Sequence, residues 1–150
     1  MPLNQSLKGK TYPEQTFEVE RDRVTQFSLA VGEDDPRFLE SRAAQAEGFP
    51  EQLAFPTFPT VVGILASAQV VTDQELGLDY SRVVHGEQEY EWRRPIVVGD
   101  ALKATPRIAD IYTKGPNEFL VIEAEITGAE GEVVCVARST LLSRGTAEGA

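Results

Sequence analysis

The first clear periodicity in the chain is the apolar series Val24, Phe27 and Val31, with Arg21, Asp22, Arg23 and Gln26 set between and before its members. Spacings of three and four predict a helix over 21–31, and Gly32 supplies the left-handed stop at which helices commonly end. Pro36 keeps Glu33-Asp34-Asp35 from continuing it, because proline disfavours helical backbone at the residue before it. Ahead of this helix, Thr16 to Val19 predicts a short strand, and 7–13 predicts a loop. A short helical piece is expected over 41–47, stopped by Gly48, and Pro50, Pro56 and Pro59 then fix irregular backbone. The most apolar stretch follows, with Val61, Val62, Ile64, Leu65, Ala66, Ala68, Val70 and Val71. Apolar residues on nearly every side predict a buried helix. Its small residues Gly63, Ala66, Ser67 and Ala68 allow close approach of other backbone.

Beyond Gly77 the period falls to two. Val84, Gln88, Tyr90 and Trp92 alternate with Glu87, Glu89, Glu91 and Arg93, which predicts a strand. Three more extended runs are expected at 102–112, 119–127 and 132–142, the second of them with Leu120, Ile122, Ala124 and Ile126 on one face. Lys114-Gly115-Pro116-Asn117 and Gly128-Ala129-Glu130-Gly131 are turn signals that join them as hairpins. One buried helix followed by four long antiparallel strands is the order of an α+β layer structure, in which a curved sheet wraps a single helix. Such a sheet leaves an exposed edge strand, so dimerisation by sheet extension is expected. The chain is expected to form a single domain over 1–144, with a fraying tail over 145–150.

Composition narrows the chemistry. The 150 residues carry 24 acidic groups against 14 Lys and Arg, a formal net charge of −10. That balance argues against nucleic acid and against anionic membranes, both of which select clustered basic residues. No apolar run reaches the length of a transmembrane span. The N-terminus lacks the plan of a secretory signal, and a cytoplasmic location is expected. The single Cys135 excludes an internal disulfide, and the single His85 excludes a multi-histidine metal centre. No metal or other cofactor is expected.

Three stretches carry a resemblance to a known family. They are 32–38 with 43–49 after it, then Ala54-Phe55-Pro56-Thr57-Phe58, and finally 84–100. The last is the most specific, with His85-Gly86-Glu87-Gln88, alternating aromatics, and then Arg94-Pro95 followed by Gly99-Asp100. Over residues 7–142 the chain resembles the hot-dog fold of MaoC-like dehydratases and (R)-specific enoyl hydratases. In particular it is similar to the small subunits of (3R)-hydroxyacyl-ACP dehydratases. The resemblance implies a long central helix wrapped by a curved antiparallel sheet, and a substrate that is an acyl-CoA or acyl carrier protein thioester. Active members carry Gly-Asp-x-Asn-Pro-x-His, whose Asp and His flank a water that adds to a trans-2-enoyl thioester. Aligned on Pro36, those two positions are Glu33 and Phe38. Glutamate is longer by a methylene, and misplacement near 1 Å costs about a hundredfold. Phenylalanine has no proton to transfer. No catalytic residue is therefore assigned. The resemblance implies a degenerate subunit that supplies the acyl channel to a catalytic MaoC-like partner in a heterodimer. The alternative is a homodimer that binds acyl thioesters without turnover.

Pro56, Thr57, His85, Gly86 and Gln88 are the candidate substrate-binding residues. His85 lies beside the acyl or pantetheine channel, with Gln88 donating to the thioester oxygen, if a bulge at Gly86 turns the histidine inward. Without it, His85 belongs to the solvated face of Glu87, Glu89 and Glu91. Free N–H groups at the helix start after Pro56-Thr57 offer a carbonyl site. Thr57, or its rival Thr60, is equally a helix N-cap. The Glu33-Asp34-Asp35 triplet reads as a solvated junction with a local Asp35 turn bond, against a cation site or a substitute base at Glu33. Trp92 is expected in the core, Cys135 as a buried inert thiol, and Arg93 and Arg94 either in surface ion pairs or facing ligand phosphates.

Overall fold

A computed structural model describes residues 1–149. Its strands are β1 (Gln15–Glu18), β2 (Val83–Trp92), β3 (Ala101–Lys114), β4 (Asn117–Thr127) and β5 (Val133–Ser143), and its helices are α1 (Arg21–Ala30), α2 (Ser41–Ala46) and α3 (Pro59–Val71). One antiparallel sheet runs in the order β1-β3-β4-β5-β2. The expected helices, the short first strand, the four long strands and both hairpins are all present. Gly32 and Gly48 end α1 and α2 at φ +79° and +91°, backbone that a side chain would strain.

Alternation places the core. Leu102, Ala104 and Ile108 of β3 and Leu120, Ile122, Ala124 and Ile126 of β4 are all buried against α3. The helix answers with Val62, Ala66 and Val70, one turn apart, and so joins two apolar clusters. At Gly63 the missing side chain lets the helix sit close to β5, where an added Cβ would stand 4.0 Å from the Ala137 Cβ.

Three expectations need correction. A sheet covers one side of a helix, so α3 is not buried all round: Ile64 is 66% and Leu65 48% exposed. In α1 Val24 is buried and Phe27 packs on the core as expected, with Ser28 buried beside them, but Val31, at the helix end, turns to solvent. The tail is held further than expected. Gly145 N–H donates to Asn117 Oδ1, Ala147 N–H donates to the Pro116 carbonyl, and Thr146 and Ala147 are buried. Ala150, the last residue of that expected tail, lies outside the described residues.

The outer face of the sheet carries a charge ladder. Register sets Arg107 opposite Glu123, Glu123 opposite Arg138, and Arg138 opposite Glu89. Glu123 accepts from Arg138 Nε at 2.6 Å and from Arg107 Nε at 3.0 Å. Burial pushes the Glu123 carboxyl up, but the two guanidiniums outweigh it and hold it below the ordinary range. A carboxyl depressed on folding adds stability above its unfolded pKa, and that stability is lost as pH falls through the folded one. Glu123→Gln is therefore expected to cost about 1–2 kcal/mol at pH 7. In urea melts its deficit against the parent chain should close as pH drops below the carboxylate range. An equal deficit at pH 7 and pH 3 would contradict this account.

Candidate functional site

Strand β2 organises the site. Trp92, Tyr90 and Gln88 point inward by alternation, and Gly86 then breaks the period. The register with β5 shifts between His85 and Glu87, so that Gln88 faces Ser139 and His85 faces Leu141. A Cβ at Gly86 would lie 3.2 Å from the Thr140 carbonyl oxygen, which explains why glycine occupies the bulge. The extra residue turns His85 and Val83 to the same side as Gln88, where the imidazole remains exposed.

Two cavities flank this inner row. One, of about 390 Å³, lies between α3 and β2-β5. Ile64, Ala68 and Val71 give it an apolar wall from the helix, and Val83, His85 and Gln88 face them from the sheet. Its polar groups are linked: His85 Nε2 lies 3.1 Å from Gln88 Oε1, which also accepts from Ser139 Oγ at 2.7 Å. With Oε1 held by both neighbours, the Gln88 amide nitrogen keeps its donors for a further partner.

The second cavity, of about 340 Å³, is lined by Phe38, Leu53, Pro56 and Trp92, with Arg93 and Arg94 at its side. Tyr90 stands between the two on β2, its hydroxyl bonded to Thr60 at the start of α3. Tyr90 and Trp92 both pack on the core while Trp92 also lines the groove, so core and lining roles coexist.

The two positions aligned with the family dyad have other work. Glu33 Oε1 accepts from the Asp35 N–H at 2.8 Å. Asp35 in turn caps a short turn of helix by accepting from the Arg37 N–H, and ion-pairs with the Arg37 guanidinium, which holds its carboxyl below the usual range. This is the junction expected of the acidic triplet, and among the described residues no group of three or more His, Cys, Asp or Glu is arranged to hold a metal. The Phe38 ring packs on Phe55 at a centroid distance of 5.8 Å. Glu33 bonds within its own turn and His85 to Gln88, and the two line no common cavity.

Other candidates resolve as follows. Thr57 is exposed and neither it nor Thr60 caps α3, whose N-cap is Phe58 without a side-chain bond. Pro59 brings no donor, and the N–H groups of Thr60 and Val61 bond back to the Thr57 and Phe58 carbonyls. The helix start thus spends the donors expected for a carbonyl. Ahead of it, the N–H groups of Phe55 and Thr57 have no partner among the described residues. Cys135 is buried, and desolvation pushes its thiol up to about 11. Arg94 is committed to Asp100 at 2.9 Å and Glu132 at 3.0 Å, and Arg93 to Glu91 at 2.7 Å.

Gln52 escaped the sequence analysis. Fully buried, it donates from Nε2 to the Phe38 carbonyl and to Thr25 Oγ1, both at 2.9 Å, and so pins the segment bearing Phe38 onto α1. Ser139 was missed as well. Its partner Gln88 was visible in the motif, but cross-strand register is not.

A five-stranded antiparallel sheet against one long helix, with an aromatic groove at the helix start, defines a hot-dog protein of the MaoC-like dehydratase class. The profile of the FAS1-like, dehydratase domain region matches residues 6–137, and the chain belongs to that family. It is 46% identical over 149 residues to a UPF0336 protein of Saccharopolyspora erythraea, covering 99% of this chain and 96% of that one. Among solved structures it is similar to the C-terminally truncated HadBC (3R-hydroxyacyl-ACP dehydratase) complex from Mycobacterium tuberculosis. There the TM-score is 0.80 and identity 26%, over 91% of this chain and 96% of that one. A MaoC-like dehydratase superposes at a TM-score of 0.86 with 21% identity, over 93% of this chain and 43% of that one. No helix among the described residues is long and apolar enough to cross a membrane.

Proposed function

We propose that this chain is a degenerate subunit of a (3R)-hydroxyacyl-thioester dehydratase or enoyl-thioester hydratase, supplying the acyl channel to a partner that bears the catalytic Asp and His. The observation that carries it is the fate of the dyad positions: Phe38 is packed on Phe55 and Glu33 closes its own turn. Water addition to a trans-2-enoyl thioester places hydroxyl on C3 and a proton on C2, and the thioester oxygen gains negative charge in between. The partner holds and deprotonates the water. This chain's part is binding and charge stabilisation. The apolar α3 wall takes the acyl chain, and the Gln88 amide donates to the thioester oxygen with His85 and Ser139 fixing its orientation. Pro56 and Thr57 border the mouth near Trp92, with the Thr57 N–H as a second donor, and Gly86 acts through the bulge that aims His85. The bare side of α3 and the unpaired edge of β2 are where the partner sits.

Purified alone, the chain is expected to hydrate crotonyl-CoA at the buffer rate while binding an acyl thioester saturably, read from the emission of its single tryptophan, Trp92. Robust turnover by the homogeneous protein would overturn the proposal.

A further inference from the structure

The two edges of the sheet differ. β1 offers four residues, whereas β2 is a ten-residue edge with exposed Val84, and exposed Tyr80 and Ile64 line the cavity on its inner side. On the outer face of β2, opposite to Gln88 and Tyr90, stand Glu87, Glu89 and Glu91 in a row. Glu89 and Glu91 share Arg138, at 3.3 and 3.7 Å, which is already bound to Glu123 at 2.6 Å, and Glu91 also meets Arg93. Glu87 has no cationic partner among the described residues.

We infer that this glutamate row selects a partner of different sequence over a second copy of the chain. The selected partner offers an antiparallel edge strand with Lys or Arg at alternate outward positions. This selection presupposes the two-subunit assembly proposed above. Two copies pairing edge to edge around a two-fold axis set residue i against residue j with a constant sum, and keeping both inner faces on one side requires i and j of equal parity. An axis at 87 or 91 puts that glutamate against its own copy. An axis at 88 pairs 87 with 89, one at 90 pairs 89 with 91, and one at 89 pairs 87 with 91 and 89 with itself. Every such register with its axis from 87 to 91 therefore opposes carboxylates at cross-strand contact distance, where like charges repel, and an axis at Trp92 leaves only the last residue of the strand paired. The ladder is broken at Gly86, which removes the remaining stretch as a regular alternative. A basic edge meets the same row with attraction, and so the device works by penalising the wrong partner as well as favouring the right one.

The test uses the intact chain and a charge-reversed copy of it, Glu87→Lys with Glu89→Lys and Glu91→Lys. Sedimentation at low ionic strength should show weak self-association of each, and a 1:1 mixture should form the mixed dimer at least about 10-fold more tightly than either homodimer. The preference should fade at high salt. The milder Glu87→Gln/Glu89→Gln variant should self-associate about 5-fold more tightly than the parent chain. Amide exchange of β2, followed in the same mixtures, separates two failures. Mixed dimers at the statistical level with β2 amides protected would overturn the charge selection and leave edge pairing standing. Amides that stay open in every mixture would overturn the two-subunit assembly itself.

Discussion

Phe58→Ala is expected to lose about 3–5 kcal/mol of folding stability. Phe58 is fully buried at the N-terminus of α3 and sits at the crossing of three elements. Its ring meets Phe17 of β1 edge-on at 6.1 Å and Phe27 of α1 edge-on at 5.5 Å. Phe27 continues to Phe55, and Phe55 to Phe38, so one chain of rings links the sheet to the segment that holds the positions aligned with the family dyad. Truncation removes the ring's transfer free energy and leaves a cavity that proline-fixed backbone around 56 and 59 cannot collapse into. Against a total of about 5–15 kcal/mol, the loss should lower the urea midpoint by roughly 1–3 M. Leu29→Ala, at a 62% exposed site on α1, should move it little. A loss below about 1 kcal/mol for Phe58→Ala would mean that these rings do not form the joint described.

The second large effect concerns the proposed assembly. Combined with a hot-dog subunit carrying Gly-Asp-x-Asn-Pro-x-His, this chain is expected to support crotonyl-CoA hydration at least about a hundredfold above its own rate, the usual scale of a positioned acid or base. Within that pair, Gln88→Leu should lower kcat about a hundredfold, the scale of one lost oxyanion donor, with a smaller change in KM. The Gln88 amide is free to donate because Ser139 and His85 occupy its oxygen. Leucine keeps the volume and the apolar lining while removing that donor, together with the oxygen that Ser139 and His85 hold. Unchanged kcat in the Gln88→Leu pair would remove Gln88 from the mechanism.

The fold was largely readable because local periods change so cleanly, from three-and-four spacing at Val24 and Phe27 to strict alternation at Leu120 to Ile126. Both hairpin turns carry glycine where the chain reverses. Even the bulge at Gly86 had a visible cue, a glycine inside an alternating run. Partnerships set by distance in space were hidden. Nothing local shows that Gln52 will reach Phe38 and Thr25, or that Ser139 will stand opposite Gln88. Hydropathy also cannot tell a helix face covered by its own sheet from one left bare, which is why Ile64 and Leu65 were assigned to the interior. The Thr57 cap failed because Pro59 at the first helical position moves the helix start past it.

The irregularity in β2 separates spacing along the chain from position on the sheet. Excising Gly86 would restore strict alternation and leave His85 two residues before Gln88, still opposite Leu141 while Gln88 stays opposite Ser139. Flattening the bulge at unchanged length would instead put Val83 and His85 on the face of Glu87. A homologous hot-dog chain one residue shorter at this point would thus keep its histidine beside the cavity although the His-x-x-Gln spacing is gone, a kinship that comparing residue identities position by position would overlook.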